Sequence, residues 1–193
     1  MKRIAVLFLI VFAASALLAQ EGRPAAQELQ AVPPHPGIVA CPFPYSQTFT
    51  NGPTPTPIKA EFPAALQAAI VGSVWNQTVA DKHFGHTFSF PSQRECCLMT
   101  SGKLEVTIKA LQSAPPNDSA SGNDAVHAIA NGAVFQSQQP WLTSGVTAGA
   151  VKTVWFTLTA AQLANGKISF YVQDDSAVLS ARLTVSGCCI RKP

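Results

Sequence analysis

The stretch Leu104-Glu105-Val106-Thr107-Ile108-Lys109 decides the fold class of this chain. Aliphatic residues alternate with polar residues through all of it. Successive side chains of a β-strand point to opposite faces, so this pattern puts the aliphatic side chains in a core and the polar ones in water. The stretch is therefore predicted to be a half-buried strand.

The same period of two recurs along the chain. It is carried by four further segments: His86 to Pro91, Val151 to Leu158, Lys167 to Gln173 and Val178 to Val185. Asn131-Gly132 predicts a hairpin between two more strands, because Asn-Gly supplies the positive φ angles of a two-residue turn. These strands are His127 to Ala130 and Ala133 to Phe135.

Helical signals are confined to two short segments. Proline opens an alanine-rich stretch from Pro63 to Ile70, and the segment Thr159 to Leu163 is followed by Asn165-Gly166. Because crossover helices are missing, a βαβ sheet is excluded. Seven or more strands with one or two short helices predict an all-β fold, an antiparallel β-sandwich of jelly-roll type.

The first 19 of the 193 residues have the features of a cleavable secretory signal: two basic residues, an apolar run and a small-residue segment that ends at Ala19. Residues 20–40 are predicted to be a proline-rich flexible leader. Residues 41–193 are predicted to be a single domain. Within it, Pro42 to Pro63 is expected to lie on the domain as an extended strap rather than an inner strand, since proline cannot donate to a sheet ladder.

Charge and hydropathy exclude two classes of partner. Loss of the signal would leave 11 basic and 10 acidic residues, which is too balanced for binding a nucleic acid backbone. Outside the signal, no apolar run approaches the roughly 18 residues of a membrane-spanning helix. The expected location is outside the cell, in the periplasm or at the cell surface.

The cysteines form a distinctive pattern, with Cys41 alone and two doublets, Cys96-Cys97 and Cys188-Cys189. In an oxidising compartment most of them should form disulfides. If the strands that carry the doublets are neighbours, one bridge joins the doublets, another captures Cys41, and one sulfur is left over. The connectivity stays open, and a vicinal bridge within each doublet is the alternative, although its ring strains the peptide.

Two sets of side chains are candidate metal ligands. Oxygen-bearing residues at two strand ends predict a Ca²⁺ site, formed by Asn123, Asp124, Asp174 and Asp175. The alternative is that these residues cap turns. Three histidines, His83, His86 and His127, lack the helical spacing of a zinc site, and His86 is interpreted as a partly buried, hydrogen-bonded side chain.

A ligand contact is predicted in the long loop that carries Gln138, Gln139 and Trp141. An indole ring with two neighbouring amides suits the apolar face and the hydroxyls of a sugar. The alternative is that Trp141 folds back over the end of the core. Trp75 is interpreted as a packing residue, and Trp155 either points to the outer face or covers the edge of the core.

Motifs that would carry catalysis are missing from the sequence. There is no nucleophile elbow, no phosphate-binding glycine loop and no acid pair in a shared motif. We therefore expect no enzyme, no certain cofactor, and a secreted binding module for carbohydrate or another surface polymer. The alternative is a disulfide-stabilised structural or adhesive surface protein, and a hydrolase is a third, weaker hypothesis.

The C-terminal third of the chain resembles uncharacterised secreted bacterial β-sandwich proteins. The resemblance is carried by Asn123-Asp124, Trp141, the strand Val154 to Leu158, and the motif Gln173-Asp174-Asp175-Ser176-Ala177-Val178. Ser176 and Leu179 depart from the family pattern, which has Thr and Asp there. The resemblance implies export and a sandwich fold and implies no activity.

Overall fold

A computed structural model describes residues 43–92, 97–118, 125–173 and 175–189. The signal at 1–19, the leader at 20–40, Cys41, Cys96 and the predicted calcium ligands Asn123, Asp124 and Asp174 lie outside these residues. The described chain contains eight strands, β1 Phe43–Thr50, β2 Phe84–Ser89, β3 Cys97–Ala110, β4 Val126–Ala130, β5 Ala133–Gln138, β6 Val151–Thr159, β7 Lys167–Val172 and β8 Ser176–Cys189.

The strands form two antiparallel sheets of four. The first sheet has the order β1-β8-β3-β6 and the second has the order β2-β7-β4-β5. The first strand therefore pairs with the last, and the pairing continues inward along the chain: β1 with β8, β2 with β7, β3 with β6 and β4 with β5. This order is that of a jelly roll with two Greek keys, and the predicted fold class is confirmed.

The core lies between the two sheets and follows the alternation of the sequence. Leu104, Val106 and Ile108 of β3 are fully buried. In register with Leu104 stand Phe156 of β6 and Leu183 of β8, both also buried. The polar residues between them point away from the core, as predicted.

The proline-rich segment is more regular than the predicted strap. Residues 43–50 pair along β8 from Phe43 opposite Cys189 to Thr50 opposite Arg182. This strand lies at the edge of the first sheet, a position that tolerates Pro44, which lacks a backbone N–H. The expectation of an extended segment that is not an inner strand is therefore confirmed for residues 43–50, which pair as an edge strand.

A small apolar layer covers the outer face of the second sheet. Phe62 and Ile70 pack against Ile129 and Tyr171 there. Gly85 makes this contact possible, because a Cβ atom at its position would come within 2.8 Å of the Ile70 side chain. Contact with the sheet holds the connecting residues as consecutive turns, so the predicted helix from Pro63 to Ile70 is wrong.

Two local predictions are confirmed. Asn131 and Gly132 have φ angles of 53° and 76° and turn β4 into β5. The helix α1, Ala160–Leu163, begins with a capping box between Thr159 and Gln162. A 3-10 turn at Lys59–Glu61 is the other helical element of the described residues. None of these residues belongs to a helix that is long and apolar enough to cross a membrane.

The predicted disulfide between the two cysteine doublets is present. Cys97 and Cys189 are direct partners in the β3–β8 register and form a bridge with a Cα–Cα distance of 4.0 Å. Cys188 is also disulfide-bonded, whereas Cys41 and Cys96 lie outside the described residues. A bridge between the doublets is confirmed, and the vicinal alternative is wrong.

Replacing Cys97 and Cys189 together by alanine is expected to lower the free energy of unfolding by about 2–5 kcal/mol. The bridge joins residues with a sequence separation of 92, so it restricts a large part of the unfolded chain. Urea unfolding of the native protein and the double variant measures the difference. A strong reductant should abolish the difference, whereas equal midpoints without reductant would contradict the prediction.

Candidate functional site

The outer face of the first sheet carries the most distinctive group of polar side chains. We use this name for the solvent-facing side chains of β1, β8, β3 and β6. Because the aliphatic residues of β3 point inward, Lys103, Glu105 and Thr107 point outward between them. In register with Glu105 stand Trp155 of β6 and Arg182 of β8.

Trp155 is the large aromatic side chain of this face. Its neighbours Val154 and Phe156 are buried in the core, and the alternation turns its ring into solvent, where it is 56% exposed. The ammonium group of Lys103 lies 5.6 Å from the ring centroid. Of the two interpretations of Trp155, the outward position is therefore confirmed.

Glu105 connects two cations beside this ring. Its carboxylate lies 3.0 Å from the Lys103 ammonium and 2.7 Å from the Arg182 guanidinium. Hydrogen bonding to Lys103, then to Arg182, together with their positive charges, lowers the pKa of the Glu105 carboxyl below its usual value. The carboxylate is therefore ionised at neutral pH and fixed between two donors.

An open depression of about 380 Å³ lies next to this group. Thr50 and Asn51 line it at one edge of the sheet, Thr153 lines it on β6, and Glu105 and Arg182 belong to its lining. Its walls therefore offer hydroxyl, amide, carboxylate and guanidinium groups to a ligand.

Paired hydroxyl groups extend across the rest of the face. Cross-strand pairs are formed by Ser46 with Ser186 at 3.2 Å, Thr48 with Thr184 at 3.1 Å, and Thr107 with Thr153 at 2.9 Å. Such pairs stabilise the register of neighbouring strands. They also give the face a set of donors and acceptors, of which the Thr107–Thr153 pair lies on β3 and on β6, the strand that carries the exposed indole.

The loop predicted to bind a ligand has a different environment. Trp141 is 6% exposed and belongs to the core cluster, with the Lys152 ammonium 5.4 Å from its ring centroid. This position agrees with the interpretation of Trp141 as a lid on the core. A ligand contact with Gln138, Gln139 and Trp141 stays a prediction.

Gln138 contributes to the site in a way that the sequence did not indicate. Its side-chain amide donates to the backbone carbonyl of Trp155 at 2.6 Å. Gln138 ends β5 at the edge of the second sheet, and Trp155 lies on β6 at the edge of the first. The hydrogen bond therefore joins the two sheets directly behind the exposed indole.

The described residues contain one of the four predicted calcium ligands. Asp175 is 8% exposed, and its carboxylate accepts a hydrogen bond from the Gln112 amide at 3.2 Å. Its backbone carbonyl accepts a second bond from Leu111. Within the described ranges, no group of three or more His, Cys, Asp or Glu side chains is arranged to hold a metal ion, and the calcium site stays a prediction.

The three histidines have separate structural roles. His86 is buried and accepts a hydrogen bond from the Thr56 backbone N–H at its Nδ1 atom, as interpreted from the sequence. His83 hydrogen-bonds to the Tyr171 hydroxyl at 2.6 Å, and His127 hydrogen-bonds to Ser137 at 2.6 Å. Burial lowers the pKa of His86 from 6.5 to about 4.

Comparisons with known proteins include two weak structural likenesses. No protein-family model and no curated protein matches the sequence. A structure described as "CBM4 structure and function", that of a carbohydrate-binding module, has a TM-score of 0.31 and 16% identity, and the likeness covers 54% of this chain and 60% of that chain. The coat protein of Tobacco streak virus has a TM-score of 0.33 and 10% identity, with coverages of 78% and 90%. Likenesses at this level carry no argument about function.

The two tryptophans, one buried and one exposed, are expected to respond differently to truncation. Trp141→Ala should cost about 3–5 kcal/mol of unfolding free energy, because it empties part of the core. Trp155→Ala should change it by less than about 1 kcal/mol, because its ring lies in solvent. Chemical denaturation of the two variants measures both values, and similar losses in both would contradict the assigned environments.

His86 is expected to destabilise the protein as the pH falls from about 6.5 to about 4. Because its pKa is depressed in the folded state, the unfolded chain takes up the proton first, and unfolding is favoured through this window. Melting temperatures measured from pH 7 to pH 4 should fall less steeply for His86→Gln than for the native protein. Parallel curves would show that His86 does not make this contribution.

Proposed function

We propose that this protein is a non-catalytic extracellular binding module that holds a carbohydrate polymer on the outer face of its first sheet. The observation that carries the proposal is the exposed ring of Trp155 beside the Lys103–Glu105–Arg182 group, on a face that also carries cross-strand hydroxyl pairs. The Cys97–Cys189 disulfide supports a place outside the cell, because such bridges persist in oxidising compartments.

The chemistry of this face matches the two kinds of surface that a sugar presents. The C–H groups of a sugar ring form an apolar side that packs against an indole. Its hydroxyl groups both donate and accept, so they can bond to threonine hydroxyls, to the Glu105 carboxylate and to the Arg182 guanidinium.

The shape of the face favours a polymer over a small molecule. Small ligands are usually enclosed in concave, mostly apolar pockets. Here the exposed indole lies on a sheet surface next to an open depression lined by polar groups. A chain of several sugar units can extend from the indole across the depression and contact both along its length.

The number of carboxyl groups in the first sheet favours binding without catalysis. Glycoside hydrolysis generally uses two carboxyl groups, one of them a general acid with a raised pKa. Glu105 is the single acidic residue in the four strands of the first sheet, all of which the structure describes, and the pKa of its carboxyl is lowered. It therefore suits a fixed hydrogen-bond acceptor rather than a proton donor.

A structural or adhesive surface protein is the second candidate function. It is supported by the covalent joining of β3 and β8 through Cys97 and Cys189, which would preserve the fold under harsh conditions. Under this alternative the protein would remain on the cell surface or assemble with itself without binding sugars.

A glycan array and pull-down with insoluble polysaccharides test the proposal. The native protein is expected to bind selected polymers, and Trp155→Ala should weaken that binding by about tenfold or more while the fold is retained. Val134→Ala is a matched control, since Val134 is an apolar residue, 41% exposed, on β5 of the second sheet.

Two results would contradict the proposal. One is unchanged polymer binding by Trp155→Ala. The other is a complete lack of polymer binding together with self-assembly or retention on the cell surface, which would favour the structural function.

A further inference from the structure

We infer that the polymer bound on the outer face of the first sheet is anionic, a polysaccharide that carries carboxylate or sulfate groups. This inference rests on the proposed function and specifies its ligand. Its basis is the charge of the first sheet, which is more positive than the nearly neutral sequence as a whole.

Positive charge is concentrated in the first sheet. Its four strands contain four basic residues, Lys103, Lys109, Lys152 and Arg182, and one acidic residue, Glu105. The chain without its first 19 residues has 11 basic and 10 acidic residues. These strands therefore have four basic residues for one acidic residue, whereas the sequence as a whole is nearly balanced.

The cations of the outer face are accessible to a ligand. Lys103 and Arg182 keep 49% and 56% of their side chains exposed although both contact Glu105. One carboxylate neutralises one of these two charges, so the group beside Trp155 has an excess of one positive charge. Lys109 adds another cation along β3, where its ammonium also donates to the Asn76 side chain.

The cations of the outer face lie close to the Trp155 ring. The Lys103 ammonium lies 5.6 Å from the centroid of the Trp155 ring, so a sugar unit on this ring would have its substituents near a positive charge. Arg182 belongs to the lining of the adjacent depression. Its guanidinium presents a planar fork of donors that suits carboxylate and sulfate oxygens.

The same features favour a sugar polymer over a nucleic acid. Proteins that bind a nucleic acid backbone do so by neutralising phosphates with Lys and Arg side chains, in some cases about six to ten of them. This face offers three cations, Lys103, Lys109 and Arg182, and places the Glu105 carboxylate among them. Hydroxyl pairs occupy much of the remaining surface, and they suit a ligand that is rich in hydroxyl groups.

Affinity electrophoresis of the native protein against matched polymers tests the inference. The probes are polygalacturonate against its methyl-esterified form, and dextran sulfate against dextran. At least one anionic polymer should bind about tenfold or more tightly than its neutral counterpart, and this preference should decrease as NaCl is raised from about 0.05 M to about 0.5 M. The two pairs distinguish carboxylate from sulfate.

Two variants of the face and one control locate the effect. Lys103→Gln and Arg182→Gln should each weaken binding of the preferred anionic polymer by about threefold to tenfold, and should therefore reduce its preference over the neutral counterpart. Lys82→Gln, which removes an exposed cation outside both sheets, should not change either affinity.

The outcomes separate this inference from the proposed function. Equal binding of charged and neutral polymers that Trp155→Ala abolishes would overturn the anionic ligand and keep the binding face. Binding of no polysaccharide would overturn both. Equal or tighter binding of duplex DNA would also overturn the inference, because the charges would then recognise a polyanion without regard to sugar chemistry.

Discussion

The pairing of β3 with β8 is the constraint on which the rest of the structure depends. These are the two longest strands, with 14 residues each, and they lie side by side in the middle of the first sheet. Their register sets Leu104 against Leu183 in the core and Glu105 against Arg182 in solvent. A shift by one residue would exchange the two faces of a strand, so the core and the charged group depend on the same alignment.

The disulfide and the exposed indole follow from this alignment. Cys97 and Cys189 are partners in the same register, and their bridge fixes one end of the strand pair. On the other side of β3, the register with β6 sets Trp155 beside Glu105. The hydrogen bond from Gln138 to the Trp155 carbonyl then joins this edge to the second sheet. The side chains of the candidate site are thus held on paired strands rather than on loops.

Alternating hydrophobicity was sufficient to predict the sandwich, because the inward side chains of each strand are encoded locally. Asn131-Gly132 and the helix after Thr159 were predicted for the same reason, since turn and cap chemistry involves neighbours in sequence. Features that depend on distant partners were not predictable in this way. Trp141 lies in a loop, so its burial depends on how that loop packs on the core. The contact of Ile70 with the second sheet likewise depends on Gly85, a distant residue of β2 that leaves space for the Ile70 side chain.

The most direct test of the binding face is a map of chemical shifts in ¹⁵N-labelled protein titrated with an oligogalacturonate or a sulfated dextran fragment. Binding on the outer face of the first sheet predicts that the indole N–H of Trp155 and the backbone amides around Lys103, Glu105 and Arg182 shift, with little change elsewhere. Shifts centred instead on the loop that carries Gln139 and Trp141 would contradict it and would move the ligand to the end of the sandwich.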